Sequence, residues 1–442
     1  MNKEWVEKQW QGVELGDQRL NKRAIKIGEA CLKKPNGSLP KKFKGWGDTK
    51  AAYRFFDSEG VSHEALQKVH NKNVFEMASQ SKQMVLFIQD GSELIYNSHK
   101  CTYGLGPTAD AFGQGIMFHT CLAVEWGRNT SEVLGIAKQM VWIRPEYSEE
   151  KTKKEQEDKE SQVWLTTLKE IGRPPANSRW VSVGDRGNDI YDYVLGASDE
   201  NWDYVVRAKH DRTVLVDGEQ KKLKAWIRSL APMADYELDL RARGEKCSRI
   251  AKLKVVWGRA LMLPPKSKKG EAISVTYIRA YDPEDSELEW ILVTSLKIDS
   301  ADDALTGVEI YEQRWVVEEY HKCLKTGCRI EEAQLKTSKR LLALFGILGI
   351  IATQLLQLRD LSRQHPERPA EDVVTKEVIT IVKSQYKHDG VMSIKELWRR
   401  IAMMGGFLGR KSDGNPGWQT IWEGWLRIQD ILTGMALAKN CG

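Results

Sequence analysis

The chain has little that would hold it together covalently. Its seven cysteines, at 31, 101, 121, 247, 323, 328 and 441, are odd in number and form no close CxxC pair. A disulfide scaffold or a zinc site is therefore not expected, and a reducing interior is. The first residues show no signal-peptide pattern, and no uninterrupted apolar run reaches 18 residues. The longest candidate, Leu341–Leu358, is broken by Gly346, Gly349, Thr353 and Gln354 and reads as a buried helix. A soluble, cytoplasmic protein is the expectation. Internal repeats and low-complexity tracts are also missing, which sets aside repeat arrays and long disordered segments. The glycine-rich stretch 100–115 lacks the P-loop pattern and reads as a connection.

What is present is length and an uneven charge. The 442 residues, 41% hydrophobic, are enough for two or three domains with real cores. Net charge is +6, but residues 1–54 alone hold ten Lys and three Arg against six acids, a net of +7. A basic leading segment on a nearly neutral body points to a polyanionic partner. That segment reads as helical. Asp17 is placed to cap a helix carrying Arg19, Lys22, Arg23 and Lys26 opposite Leu20, Ala24 and Ile27. After the turn Pro35–Ser38 come Lys41, Lys42 and Lys44, then a helix from about Asp48 with Lys50 and Arg54.

Beyond residue 84 the hydrophobic pattern changes period. Met84–Gln89 is a short apolar run ending at Asp90, and 118–126 and 133–142 alternate as strands. The mixed-charge stretch 149–160 reads as a solvent-facing helix that gains an apolar side at Trp164, Leu165, Leu168 and Ile171. Strand 180–184 ends at Asp185, and a short helix (189–198) and a strand (202–209) follow. The resulting order, β-β-β-α-β-α-β, matches the ribonuclease H fold, in which the first and fourth strands lie side by side and parallel. Asp90 and Asp185, 95 residues apart, would then meet.

A third carboxylate lies in a helix opened by a Ser300/Asp303 capping box and stopped near Gly327. Tyr311, Arg314, Glu318, Lys322 and Lys325 fall at offsets 0, 3, 7, 11 and 14 and so share one face. By periodicity alone this is a solvated charged face. The pattern Y-x2-R-x3-E-x6-K, however, resembles the signature of the insertion-sequence-four family of bacterial DDE transposases. The phrase YEQRWVVEEYHKCLKTG is similar to that of the transposon-five transposases within it. ELGDQRLNKR, AAYRFF, GGF and WEGW are similar to further parts of the same proteins.

The resemblance implies a helical DNA end-binding domain at 1–70 and a ribonuclease H-like catalytic domain at 71–365 with a β-rich insertion at about 212–298. A helical dimerisation domain at 366–442 follows, with Trp418, Trp422 and Trp425 on one helix face. It also implies catalysis by Asp90, Asp185 and Glu318 around two Mg²⁺ ions, replaceable by Mn²⁺. Carboxylates suit such hard cations, which neutralise both oxygens of an in-line phosphodiester displacement. Tyr311, Arg314 and Lys325 would hold the backbone of the transposon end. Lys322, Arg207, Lys209 and Arg212 would add phosphate contacts, and Trp290 would receive an extruded base, unless it is ordinary core. The implied reaction is nicking at the element's end, hairpin formation, hairpin opening and joining to target DNA by a homodimer. Gly91-Ser92 after Asp90 and Arg186-Gly187-Asn188-Asp189 after Asp185 depart from the family pattern. A structure-selective nuclease of the same fold, or a DNA-binding regulator that no longer cuts, are the alternatives.

Overall fold

The computed structural model describes residues 3–43, 45–109, 113–128, 130–146, 160–240, 248–266, 268–410 and 413–441. Helices dominate both ends of this mixed α/β chain, and strands dominate its middle. At the start, helices span Lys3–Trp10, Gln18–Lys33, Leu39–Lys42, Trp46–Asp57 and His63–Gln80. Asp17 caps the second of these by accepting from the Arg19 N–H, as the sequence suggests. Its apolar side (Ala24, Ile27, Cys31) is buried while Lys22 and Lys26 face solvent. Gly28 is what lets the first helix approach: a Cβ there would lie 2.5 Å from the Trp10 ring. Lys44 lies outside the described residues, as does most of the stretch 149–160; the helix Val163–Ile171 buries Trp164 and Leu168 as expected.

Among the described residues one sheet unites β1 (Met84–Ile95), β2 (Gly106–Pro107), β3 (Gln114–Gly127), β4 (Thr130–Trp142), β5 (Arg179–Gly184) and β6 (Asp203–Arg207). It continues through β7 (Thr213–Val216), β8 (Glu219–Lys222), β9 (Ala234–Leu240), β10 (Arg249–Met262), β11 (Ile273–Tyr281) and β12 (Glu289–Thr294). The order is β2-β3-β1-β5-β6-β12-β11-β10-β7-β8, with β4 on β3 and β9 on β10. The expected neighbours, β1 and β5, pair in parallel from Met84↔Arg179 to Ile88↔Val183. The stretch 212–298 joins this sheet through β12, which runs antiparallel to β6. Alternation along the strands builds two cores: Leu86 and Ile88 face one, Val85 and Phe87 the other. In the second, Phe87 packs on Trp180 at 4.6 Å between ring centroids.

Two details differ from the sequence reading. β1 does not end at Asp90; it continues to Ile95 because β3 keeps pairing with it, from Asp90↔Thr120 to Ile95↔Gly115. The single helix expected over 300–327 is three pieces: Ala301–Glu312, Trp315–Lys322 and a π-helical turn Cys323–Gly327. The first break arises where Gln313 and Arg314 hydrogen-bond three residues back rather than four. The capping box of Ser300 with Asp303 is present.

The helix Ser338–Gln364 is apolar through its middle turns, Leu341 to Leu358, and those turns are mostly buried. It is long and apolar enough to cross a membrane, yet 83% of its apolar window is buried in the fold. Helices Lys376–Tyr386, Ile394–Met404 and Trp418–Cys441 close the chain. Trp418, Trp422 and Trp425 are buried, and the Trp422 indole N–H donates to the Gly327 carbonyl at 3.2 Å. The last two helices touch backbone to backbone: a Cβ on Gly424 would lie 1.7 Å from the Ile401 carbonyl oxygen. Gly424→Ala should therefore force these helices apart, costing about 1–3 kcal/mol. A lower melting temperature and faster proteolysis within 376–441 are expected, and melting and digestion profiles identical to wild type would contradict the close crossing.

Candidate active site

Three carboxylates from distant parts of the chain line one open cavity of about 180 Å³, with Arg186, Arg207, Tyr311 and Arg314 completing its walls. Asp90 comes from the middle of β1. Carrying the β1–β5 register two residues past Ile88↔Val183 sets Asp90 beside Asp185. Asp185 stands just beyond β5 and caps the short 3-10 turn Arg186–Asn188, its Oδ1 accepting the Gly187 N–H at 2.7 Å. Glu318 projects from the helix Trp315–Lys322. Its Oε1 accepts the Arg314 guanidinium at 2.8 Å, one turn earlier. Among the described residues, no three His, Cys, Asp or Glu side chains are gathered closely enough to hold an ion as they stand. Glu318's attachment to Arg314 accounts for that here: two acids are neighbours and the third is turned to a cation.

The electrostatics follow from this arrangement. Burial, then the neighbouring Asp185 charge, push the Asp90 carboxyl up to about 7; Arg314 opposes the rise and Glu318 adds to it. His321 places Nδ1 4.0 Å from Asp90 Oδ2 but contributes no charge there. Its ring is buried against Phe118, and desolvation lowers its pKa to about 3. The opposite face of the same strands holds a polar cluster that sequence reasoning missed. Gln89 donates to Ser182 Oγ at 3.0 Å, accepts from His119 Nε2 at 2.9 Å, and Tyr193 donates to Ser182 at 2.7 Å. These bonds cross β3, β1 and β5 directly behind the two aspartates. The signal was there: Gln89 and Ser182 are polar residues in otherwise apolar strands.

A carboxyl with a raised folded-state pKa binds its proton more tightly folded than unfolded. Between its unfolded pKa, near 4, and about 7 the cation-free protein thus loses stability as pH rises. Asp90→Asn should remove that loss, raising stability at pH 8 by up to about 4 kcal/mol at 1.36 kcal/mol per pKa unit, with little change at pH 4. Thermal melts of metal-free protein at the two pH values test this, and equal effects at both would contradict it.

The other residues singled out in the sequence divide into three groups. Arg207, Tyr311 and Arg314 line the cavity, while Lys322 is exposed and Lys325 sits half-buried on the π-helical turn. On the N-terminal helices Arg19, Lys22, Lys26, Lys41, Lys50 and Arg54 are exposed, and Arg23 pairs with Asp48 at 3.0 Å. Three residues are occupied inside the fold instead. The Lys42 ammonium donates to the carbonyls of Lys34 and Pro35, closing the end of a helix. Arg212 is paired with the buried Asp189, whose carboxylate also accepts the N–H groups of Lys209 and His210. Trp290 is buried and packs in a T-shaped contact with Tyr311, 5.1 Å between ring centroids.

Three family models match the chain. Residues 2–61 match the transposase DNA-binding model, 155–355 the transposase DDE domain and 350–441 the transposase Tn5 dimerisation domain. The DDE match contains Asp185 and Glu318 but begins after β1. Asp90 is brought to the site by strand pairing, outside the matched residues. DDE domains cleave DNA and transfer strands, generally with divalent metal ions, and the acidic cavity is chemically suited to such ions. The chain therefore carries, in order, the DNA-binding, DDE and dimerisation domains of a DNA transposase.

Proposed function

We propose that this protein is a cut-and-paste transposase of the insertion-sequence-four type, with a ribonuclease H-like core interrupted by the strands β7–β12. Asp90, Asp185 and Glu318 are its catalytic carboxylates. The observation that carries the reading is the shared cavity, where register sets Asp90 beside Asp185 and Glu318 faces them among three arginines. Such a grouping of acids needs a cation to be stable, and its cationic rim suits a phosphodiester.

Exposed cations of the N-terminal helices hold the repeats at the element's ends, and the C-terminal helices pair two copies so that both ends are cut together. The strand to be cut enters the cavity with its phosphate oxygens on Arg207 and Arg314 and the Tyr311 hydroxyl. Arg314 then exchanges Glu318 for phosphate, which frees Glu318 to turn toward Asp90 and Asp185. Those three carboxylates would hold Mg²⁺, two ions in this reading. When bound, such ions neutralise charge on the phosphodiester and make an attacking oxygen more acidic.

The reaction begins with hydrolysis: a water oxygen bonds to phosphorus and the 3′-oxygen of the element's terminal nucleotide leaves. That 3′-hydroxyl attacks the opposite strand to give a hairpin, a second water opens it, and the restored 3′-hydroxyl joins target DNA. One bond to phosphorus forms and one breaks at each step, so a single site serves all of them without ATP. The work is done in the cytoplasm, where the nucleoid supplies both element and target.

Full-length protein, Mg²⁺ and a plasmid carrying the element's ends should yield an excised fragment with hairpin ends. Random degradation would instead indicate a structure-selective nuclease, and binding without cutting a regulator. Glu318→Gln should keep end binding within about twofold and lower nicking by at least about a hundredfold, the scale on which removal of a transition-state electrostatic contact acts. Nicking at the wild-type rate by this variant would remove Glu318 from the site.

A further inference from the structure

A second cavity, of about 230 Å³, adjoins the acidic one and shares Arg186 and Arg207 with it. Lys209, Lys224, Glu289 and Ile291 also form its walls. Glu289, the lone acid among these, is neutralised by two arginines that approach it from outside the cavity lining: Arg279 at 2.7 Å and Arg228. These partners hold its carboxyl below the usual range. What remains is four cations around a pocket walled on one side by Ile291.

The pocket is also stiff. Arg207 is fixed by donation to the Glu289 carbonyl at 2.7 Å. The Lys209 segment is tied down by Asp189, which accepts its N–H at 2.7 Å and that of His210 at 3.0 Å. The Lys224 backbone N–H is held by Asp211 Oδ1 at 2.9 Å. A cationic pocket fixed by its own backbone contacts loses little entropy on taking an anion. Its apolar side favours an anion that carries a sugar over a bare inorganic ion.

We propose that this second cavity is a binding site for one backbone phosphate and sugar of the DNA strand next to the cut phosphodiester. Lys209 and Lys224 are the cations that line this cavity alone, and Arg186 and Arg207 bridge the two sites. The proposal rests on the transposase reading. It adds a place where the strand is gripped one step away from the reacting phosphorus, so that the scissile bond is held by anchors on either side of Arg207.

The test is the salt dependence of binding. The probe is a duplex that carries the element's terminal sequence and continues several base pairs into flanking DNA. Each phosphate contact contributes roughly 0.9 to the slope of log K against log salt. Lys224→Gln and Lys209→Gln in the full chain should each make that slope shallower by about 0.9, and Lys224→Arg should restore it. The same probe truncated at the cleavage point reports where the gripped phosphate lies: it stays sensitive to Lys224→Gln if that phosphate belongs to the element and becomes insensitive if it belongs to the flank. Slopes unchanged in both variants on both probes would overturn the proposal. Wild-type protein that cuts this DNA while the slopes stay unchanged would sink only the second site. Wild-type protein that neither binds nor cuts it would sink the transposase reading as well.

Discussion

The parallel pairing of β1 with β5 is the constraint on which everything else in the molecule depends. Its offset of 95 residues, read from Met84↔Arg179, is the separation of Asp90 and Asp185. A slip of one residue would send one aspartate to the other face of the sheet, into the Trp180 and Trp202 core. The Gln89–Ser182 bond spans the same two strands from behind and, with His119 and Tyr193, favours this register over its neighbours. These polar groups are satisfied only in one alignment, which is how a buried network specifies structure.

Bringing carboxylates together without a cation raises a problem that the site resolves in two ways. Asp90 takes up its proton more readily, and Glu318 turns to Arg314. In the proposed reaction both adjustments would reverse: Asp90 would be held ionised beside a divalent ion, and Arg314 would take a phosphate in place of Glu318. The helix that bears Glu318 is braced from its far side as well. Arg359 of the long central helix pairs with Glu319 and with Asp360. Through Trp422 and Gly327 the dimerisation region also touches the turn that follows the Glu318 helix.

Much of this was legible in the sequence because it depends on local chemistry. The capping residues Asp17 and Ser300, the apolar strands and the tryptophan stripe follow from period and side-chain type, and the structure has them. What escaped was set by tertiary context. The length of β1 beyond Asp90 is decided by β3, not by hydrophobicity. The breaks in the 301–327 helix depend on backbone bonds that no residue in it announces. Lys42, Arg212 and Trp290 look like ligands for DNA in one dimension, because a cation or an aromatic ring carries no mark of which way it faces. Only packing shows that Lys42 is bonded to carbonyls, Arg212 to Asp189, and that Trp290 packs against Tyr311.

The most direct test of the central claim is anomalous diffraction from Mn²⁺-soaked crystals of the full-length protein bound to its end DNA. The account predicts anomalous density between Asp90 and Asp185, with Glu318 released from Arg314 and turned toward it. Density placed elsewhere, or none while Glu318 remains on Arg314, would contradict it.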